Sequence, residues 1–340
     1  MLMRVAINGM GRIGRAAMKI ILEHSELKLV AVNDMVPLDT LAYLLRYDTV
    51  YGRYERKVET ESDKLLIDGE EYISLQEKKP DKLPWKDLDI DLVLECTGFF
   101  TTRDYLEKHL LAGAKRVFLS APAKDDDVPT VVHGVNIADR EARIISCGSC
   151  TTNCITPIVE IMGRRVGIQK AIMTTVHAYT GTQAIVDSAR DKLRRGRAGA
   201  ENLVPTSTGA ARATTRVLPE YEGMINGMAI RAPVPVGSVA EVVFLTLKNT
   251  SREEVNAIFQ EESESERYRE VITVSDEPLV SSDIVKDPHA AVINLDLTQV
   301  VADDLARIVS WYDNEWGYAN QMIREAMRLA LAEEFHRDGK

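Results

Sequence analysis

The chain has 340 residues, enough for two domains of ordinary size and a well-buried core, so its stability needs no disulfide staples. Its 52 acidic residues outnumber 42 lysines and arginines, and the resulting net charge of -10 argues against a protein that coats nucleic acid. No apolar run approaches eighteen residues, which excludes a membrane-spanning helix, and four cysteines without a secretory leader pattern point to a reducing, cytoplasmic setting.

Residues 3–8, MRVAIN, are short, β-branched and apolar, and they run through GMGRIGR into the amphipathic stretch AAMKIILEH. This order predicts strand, tight turn and helix. A second apolar run, residues 27–33, ends at Asp34, and further strands are predicted within 91–98, 114–122 and 142–149, with helical patterns such as TTRDYLEKHLLAGA between them. Apolar strands alternating with helices predict an α/β fold with a doubly wound, mostly parallel sheet over the first 150 residues.

The second half has longer strand-like runs, AIMTTVHAYT, GMAIRAPVPV and VAEVVFLTLKN, then a helix at REEVNAIFQEE and strands at AAVINLDLT and ARIVSWYD. It reads as an α+β domain on a larger mixed sheet. A C-terminal helix is expected over YANQMIREAMRLALAEEF, with Met322, Ile323, Ala326, Met327 and Leu329 to Leu331 available for a buried face.

Gly9, Gly11 and Gly14 form G-x-G-x-x-G between a predicted strand and helix, and Asp34 follows Gly14 by twenty residues at the end of the next strand. In that context the glycines let backbone approach a pyrophosphate, with Arg12 and Ile13 beside it at the helix start. Asp34 can accept hydrogen bonds from a ribose and would repel a 2′-phosphate, favouring NAD over NADP.

SCGSCTTNC, residues 146–154, holds Cys147, Cys150 and Cys154, and Cys96 is the only other cysteine. A closed metal site lacks its fourth ligand, so no metal is expected. The pattern instead starts a helix near Ser149 or Cys150, where unpaired amides and the helix dipole favour a thiolate. A thiol nucleophile needs a base. Of six histidines, His24, His109 and His336 fall in stretches that read as solvated, while His177 ends an apolar strand at the start of a loop rich in Thr, Arg and Gly. The sequence leaves His177 balanced between a cleft base and a satisfied core histidine. Thr180, Thr182, Arg194, Arg195 and Arg197, the run 206–212 and Arg231 supply hydroxyls, turn amides and guanidinium groups suited to small phosphates. A thiol, a nicotinamide cofactor and phosphate sites together suggest aldehyde oxidation through a thioester.

INGMGRIGR, SCTTN, TTVHAYT, STGAA, RAPVP and WYDNEWGYAN, in this order along the chain, resemble the phosphorylating glyceraldehyde-3-phosphate dehydrogenase family. The resemblance implies a Rossmann domain at 1–149 and 313–340, a catalytic domain at 150–312, and a homotetramer acting on glyceraldehyde 3-phosphate and inorganic phosphate with NAD or NADP. It implies Cys150 as nucleophile and His177 as base. Ser149, Thr151, Thr208 and Gly209 would hold inorganic phosphate, and Thr180, Arg195 and Arg231 the substrate phosphate. Asn314 would fix the nicotinamide carboxamide, Tyr318 would pack near the ring, and Thr97, Gly98 and Ser120 would line the cofactor cleft. The loop at 180–201 would pack against a neighbouring subunit's cofactor.

Three departures bear on this reading. Cys147-Gly148 replaces the family's usual Asn-Ala, and Cys147 reads as a small buried residue. Thr182 replaces an acidic residue that many relatives carry, and its hydroxyl could still serve a phosphate. Ser188-Ala189 replaces Leu-Pro or Gly-Pro of strictly NAD-using members, so Ser188 favours NADP where Asp34 favours NAD, and both coenzymes are expected to be usable. The alternatives are erythrose-4-phosphate dehydrogenase, which shares the scaffold, and a catalytically idle, redox-sensing dinucleotide-binding protein.

Overall fold

The computed structural model describes residues 2–139 and 141–338, with side chains to residue 332. His336 and the outermost ends of the expected nucleotide-binding domain lie outside the residues so described. The chain divides into two units: Met1–Val131 with Ile137–Gly148 and Met322–Lys340, and Val132–Asn136 with Ser149–Gln321.

The first unit is built on an eight-stranded sheet in the order Ile144–Ser146, Arg116–Leu119, Leu92–Glu95, Met3–Asn8, Leu27–Asn33, Glu70–Leu75, Lys64–Ile67, Val58–Glu61. The first six are parallel. Their near-continuous burial, as at Val5, Ala6, Ile7, Leu92, Val93 and Leu94, is what two covered faces require. The chain steps outward in opposite directions from Met3–Asn8, so the carboxyl end of that strand is a topological switch point, where open α/β sheets bind ligands.

The sheet is mostly parallel, as expected, and two hairpins add antiparallel strands at one edge. Their charged, alternating sequences carry little apolar signal. The turn between them was nevertheless written in the chain: Asp68-Gly69, with φ of 52° and 88°, is the dipeptide that two-residue hairpins favour.

The second unit holds another eight-stranded sheet, in the order Val204–Ser207, Ile225–Ala232, Ile168–Ala178, Ser238–Thr246, Leu305–Tyr312, Ala291–Asn294, Ile272–Ser275, with Gln299–Val301 pairing beside Leu305–Tyr312. It is mixed, as expected: Ile168–Ala178 runs parallel to Ile225–Ala232 and antiparallel to Ser238–Thr246. Ala171 and Met173 face inward while Ile172 between them is 62% exposed, the period-2 pattern of a strand with one covered face.

The helix Cys150–Arg165 covers that inner face. Cys154, Ile155, Ile158, Ile161 and Met162 join a core with Met173, Val242, Phe244 and Ile308. Its far end is clamped by ions: Arg164 pairs with Glu160 and Glu262, and Arg165 with Glu261 and Glu262. A helix held by apolar packing along its length and by charge at one end presents its other end as a rigid platform.

The last helix, Trp316–Asp338, buries Met322, Ile323 and Ala326. Its expected apolar face narrows beyond them. Met327 and Leu329 are only half-buried and Leu331 is 46% exposed. His109 also departs from expectation: it is fully buried, one turn from buried Leu106 on the inner face of Arg103–Leu111.

Candidate active site

Ser149 caps the helix Cys150–Arg165, its Oγ accepting from the Thr152 amide at 3.1 Å. The Asn153 amide donates to the Ser149 carbonyl at 2.9 Å. The remaining first-turn amides, those of Cys150 and Thr151, are directed at the Cys150 sulfur together with the Thr151 hydroxyl. Capping chemistry thus turns the positive end of the helix onto one thiol.

His177 reaches that thiol from the strand Ile168–Ala178, with Nε2 3.3 Å from Cys150 Sγ. In register, His177 lies beside Arg231, and Arg231 beside Val204 on the next strand. Arg231 Nη1 comes within 2.8 Å of His177 Nδ1 and donates to the Ala178 carbonyl at 2.9 Å, while His177 Nδ1 is 2.7 Å from the same oxygen. We assign the Nδ1–H tautomer, in which His177 Nδ1–H and Arg231 Nη1–H both donate to Ala178 O and make no hydrogen bond to each other, which leaves the Nε2 lone pair facing the thiol.

Electrostatics keep this pair neutral at rest. Burial, then the Arg231 and Arg195 cations, push the imidazole down to about 3. Burial pushes the Cys150 thiol up, and Arg231 with the Thr151 and Cys150 donors pulls it partway back. The base therefore keeps an unprotonated lone pair at neutral pH, and the proton moves when an electrophile arrives.

A stability consequence follows from the same burial. Between the ordinary histidine value of 6.5 and about 3, the unfolded chain binds a proton at His177 that the folded chain does not. Stability from this group is complete above 6.5 and drains as pH falls below it. Urea melts between pH 7 and pH 5 are expected to show a shallower fall for His177→Gln than for wild type.

The other thiols lack such equipment. Burial drives Cys96 and Cys154 up to about 12, and raises Cys147 with the Glu325 carboxylate adding to it. Cys147 is 4% exposed, in keeping with its reading as a small core residue. Iodoacetamide at one equivalent per chain is expected to carboxamidomethylate Cys150 alone, as peptide mass mapping would report. Among the described residues no three metal-ligating side chains converge.

Behind the thiol stands a residue to which sequence reading gave no role. The Tyr312 hydroxyl lies 2.9 Å from both Thr151 Oγ1 and Thr175 Oγ1, and its ring meets His177 edge-on at 5.9 Å. Strand alternation along Leu305–Tyr312 could have marked it as inward-facing. Ser238 is a second such residue: it accepts from the Ala178 amide at 3.1 Å and donates to Asn314 Oδ1 at 2.9 Å. That bond orients the Asn314 amide. Asn314 and Tyr318 are both buried.

The candidate anion groups surround the loop after His177. Thr180 Oγ1 and Thr182 Oγ1 are 2.9 Å apart, and Arg195 Nε donates to Thr206 Oγ1 at 3.1 Å. Thr208 Oγ1 accepts from the Ala210 amide at 3.1 Å, and Gly209 caps the helix Ala210–Val217 with open space beside its Cα. Arg231 Nε is buried without a hydrogen-bond partner. Arg197 is spent on the loop itself, bonding Asp187, and the exposed Ser188 is held by its amide to the Gly196 carbonyl. The Thr151 hydroxyl lies against Tyr312 and, with the Thr151 amide, faces the thiol.

In the first unit Gly9 has φ of 94°, and a Cβ there would sit 2.5 Å from the Thr97 nitrogen; one on Gly14 would sit 2.0 Å from the Gly9 carbonyl oxygen. Gly11 faces open space at the start of the helix Arg12–Ile21, which has no side-chain cap and no acidic residue in its first turn. That is a cradle for a phosphate. Beside it, Asp34 accepts from the Met10 amide at 2.6 Å and the Val36 amide at 3.1 Å, and the Arg12 guanidinium pairs with Asp48, its Ile13 neighbour half-buried. Thr97 bonds Glu95 through its amide, Gly98 has φ of 72° beside open space, and the Ser120 amide donates to the Glu95 carbonyl. The donor set and the glycine geometry fit a dinucleotide.

Comparison with known proteins agrees with both halves. Residues 3–103 match the family model described as glyceraldehyde 3-phosphate dehydrogenase, NAD binding domain, and residues 149–314 match its C-terminal domain. The glyceraldehyde-3-phosphate dehydrogenase of Zymomonas mobilis is 42% identical over 97% of this chain and 99% of its own. Those of Streptomyces coelicolor and Mycobacterium leprae are 43% and 45% identical, each over 95% of this chain and 97% of their own. With a glycine turn shaped for a phosphate, a thiol within reach of a buried histidine and similarity over nearly the full length, the chain belongs to the glyceraldehyde-3-phosphate dehydrogenase family.

Proposed function

We propose that this NAD-dependent oxidoreductase converts D-glyceraldehyde 3-phosphate and inorganic phosphate to 1,3-bisphosphoglycerate, reversibly, through a thioester on Cys150. The observation that carries the reading is the 3.3 Å approach of His177 Nε2 to a thiol at a helix N-terminus, ringed by cationic and hydroxyl groups.

Cys150 Sγ adds to the aldehyde carbon while its proton passes to the carbonyl oxygen by way of His177 Nε2. His177 then takes the hydroxyl proton of the thiohemiacetal, and the C–H bond gives up a hydride as the C=O bond of the thioester forms. Bound nicotinamide supplies the hydride acceptor for this chemistry. Phosphate oxygen attacks the thioester carbonyl, the C–S bond breaks, the phosphate's proton is lost to solvent, and protonated His177 Nε2 returns its proton to the sulfur, which restores the neutral pair. The departing thiolate is received by Arg231 and by the Thr151 and Cys150 donors that already face the sulfur.

Arg195, Arg231, Thr180 and Thr182 bind the substrate phosphate. Thr208, Gly209, Thr151 and Ser149 bind inorganic phosphate; the Ser149 oxygen can accept from both Thr152 groups, so its own proton stays available. Gly9, Gly11, Arg12, Ile13, Gly14, Asp34, Thr97, Gly98 and Ser120 hold the dinucleotide from the nucleotide-binding domain, assigned to 1–149 and 313–340. Asn314 and Tyr318 hold the nicotinamide end. The catalytic domain is assigned to 150–312.

NAD and NADP both serve, with Asp34 against NADP and Ser188 for it. In Asp34→Gly the ratio of kcat/KM for NADP to that for NAD is expected to rise roughly tenfold or more, because a half-buried carboxylate beside a 2′-phosphate is a like-charge encounter that the substitution removes. Steady-state rates with both coenzymes measure it.

The working form is a homotetramer in the cytoplasm. Ile172, Ile185, Val186, Leu193 and Leu203 are each more than 60% exposed on the second unit, apolar surface that a further copy of the chain would cover. The functional reading is tested by initial rates with each coenzyme, with and without inorganic phosphate: multiple turnover that requires phosphate supports it, and oxidation at the same rate without phosphate contradicts it.

A further inference from the structure

Glu95 and His109 are both 0% exposed, yet neither has a part in the thiol chemistry. A carboxylate so buried is costly unless every lone pair is met. Here it is met. Glu95 Oε2 accepts from Asn8 Nδ2 at 2.6 Å and His109 Nε2 at 3.1 Å, and Oε1 accepts from the Thr97 amide at 2.8 Å and from the Thr97 hydroxyl.

Trp85 decides the state of this pair. Its indole Nε1–H, which can only donate, points at His109 Nδ1 at 3.0 Å. Nδ1 must then accept, so the single proton of a neutral His109 sits on Nε2 and is given to Glu95. An imidazolium would set N–H against N–H. The arrangement is a directional chain, Trp85 to His109 to Glu95, ending in one fully bonded carboxylate.

The other end of the chain is the crest of the sheet. Asn8, Asn33 and Glu95 close three adjacent parallel strands, with Asn8 paired to Asn33 and to Glu95 in register. Asn33 Nδ2 donates to Asn8 Oδ1 at 2.6 Å and to the Glu77 carbonyl at 2.9 Å, and the Glu77 amide returns a bond to Asn33 Oδ1 at 2.8 Å. The Gly9 amide hangs from the Asn33 carbonyl at 2.8 Å, and the Cys96 amide from the Asn8 carbonyl at 2.7 Å. Thr97, held by Glu95, backs directly against Gly9. The glycine turn thus rests on Thr97 and Asn33, and both are oriented through the buried carboxylate.

We propose that Trp85, His109 and Glu95 are positioning residues for coenzyme binding: their relay pre-shapes the Gly9–Gly14 turn and Thr97 so that binding does not have to order them. The inference rests on the coenzyme reading above. Its cause is polarity order rather than charge or bulk, and that gives it a distinctive test. Gln at position 109 can accept from the indole and donate to Glu95 just as His109 does, whereas Leu can do neither.

The dissociation constant for NAD would be measured by titration calorimetry on full-length apoenzyme, alongside the rate of Cys150 alkylation by iodoacetamide. His109→Leu is expected to weaken NAD binding about tenfold and His109→Gln to restore it to within about threefold of wild type, with alkylation rates unchanged in both. Trp85→Phe, the milder variant, is expected to weaken binding about threefold and serves if His109→Leu does not fold. Wild-type affinity in both His109→Leu and Trp85→Phe would overturn the proposal, as would equal losses in His109→Leu and His109→Gln. Failure of wild type to bind NAD at all would instead overturn the coenzyme reading.

Discussion

Cys150→Ser is expected to abolish the proposed thioester, with kcat/KM for the aldehyde falling by at least about 10⁴-fold, since an unactivated hydroxyl replaces the thiol while the surroundings stay in place. Serine is isosteric, so the helix cap at Ser149 and the core beneath Cys154 are undisturbed and NAD affinity should match wild type. The argument for a large effect lies in the donors: two amides, one hydroxyl and the Arg231 cation all serve a sulfur anion. A serine alkoxide would need far more stabilisation than those groups supply to the thiolate. Steady-state kinetics and calorimetry on the same preparation separate loss of chemistry from loss of binding.

His177→Gln has the second-largest effect, a fall in kcat of about 10²–10⁴-fold, the range of a lost general acid–base. Glutamine can still bond the Ala178 carbonyl region but cannot carry a proton between sulfur and oxygen. Alkylation adds a sign-sensitive check. The wild-type rate is expected to climb with pH through the raised Cys150 value. Arg231→Leu removes the main cation that lowers that value, so its profile should lie further to the alkaline side. Arg231 also lowers His177, so the same variant lets the imidazole titrate closer to its ordinary value.

Local chemistry made the nucleotide turn and the helix at Cys150 legible before any coordinates. Gly9 and Gly14 are spaced by the turn they make, and Ser149 caps the helix that starts one residue later. What depends on register was not legible. His177 lies 27 residues from Cys150, and only the pairing of Ile168–Ala178 with Ile225–Ala232 brings it, with Arg231, over the thiol. His109 read as solvated because its helix is polar overall; its burial comes from Trp85 and Glu95, which are distant in sequence. Tyr312 was visible within WYDNEW, but its bond to Thr151 spans 161 positions and no local pattern encodes it. The hairpins at 58–75 escaped notice because their strands are short and their few inward residues, Val58, Leu65, Ile67 and Tyr72, are set among charged ones.

The central claim is a covalent acyl-enzyme on Cys150 that only phosphate releases, and rapid mixing with glyceraldehyde 3-phosphate and NAD in phosphate-free buffer tests it most directly. The expected result is a burst of about one reduced coenzyme per active site, then a stall, an acyl mass on the peptide carrying Cys150, and renewed turnover when phosphate is added. A linear, phosphate-independent progress curve with no mass on Cys150 would contradict the account.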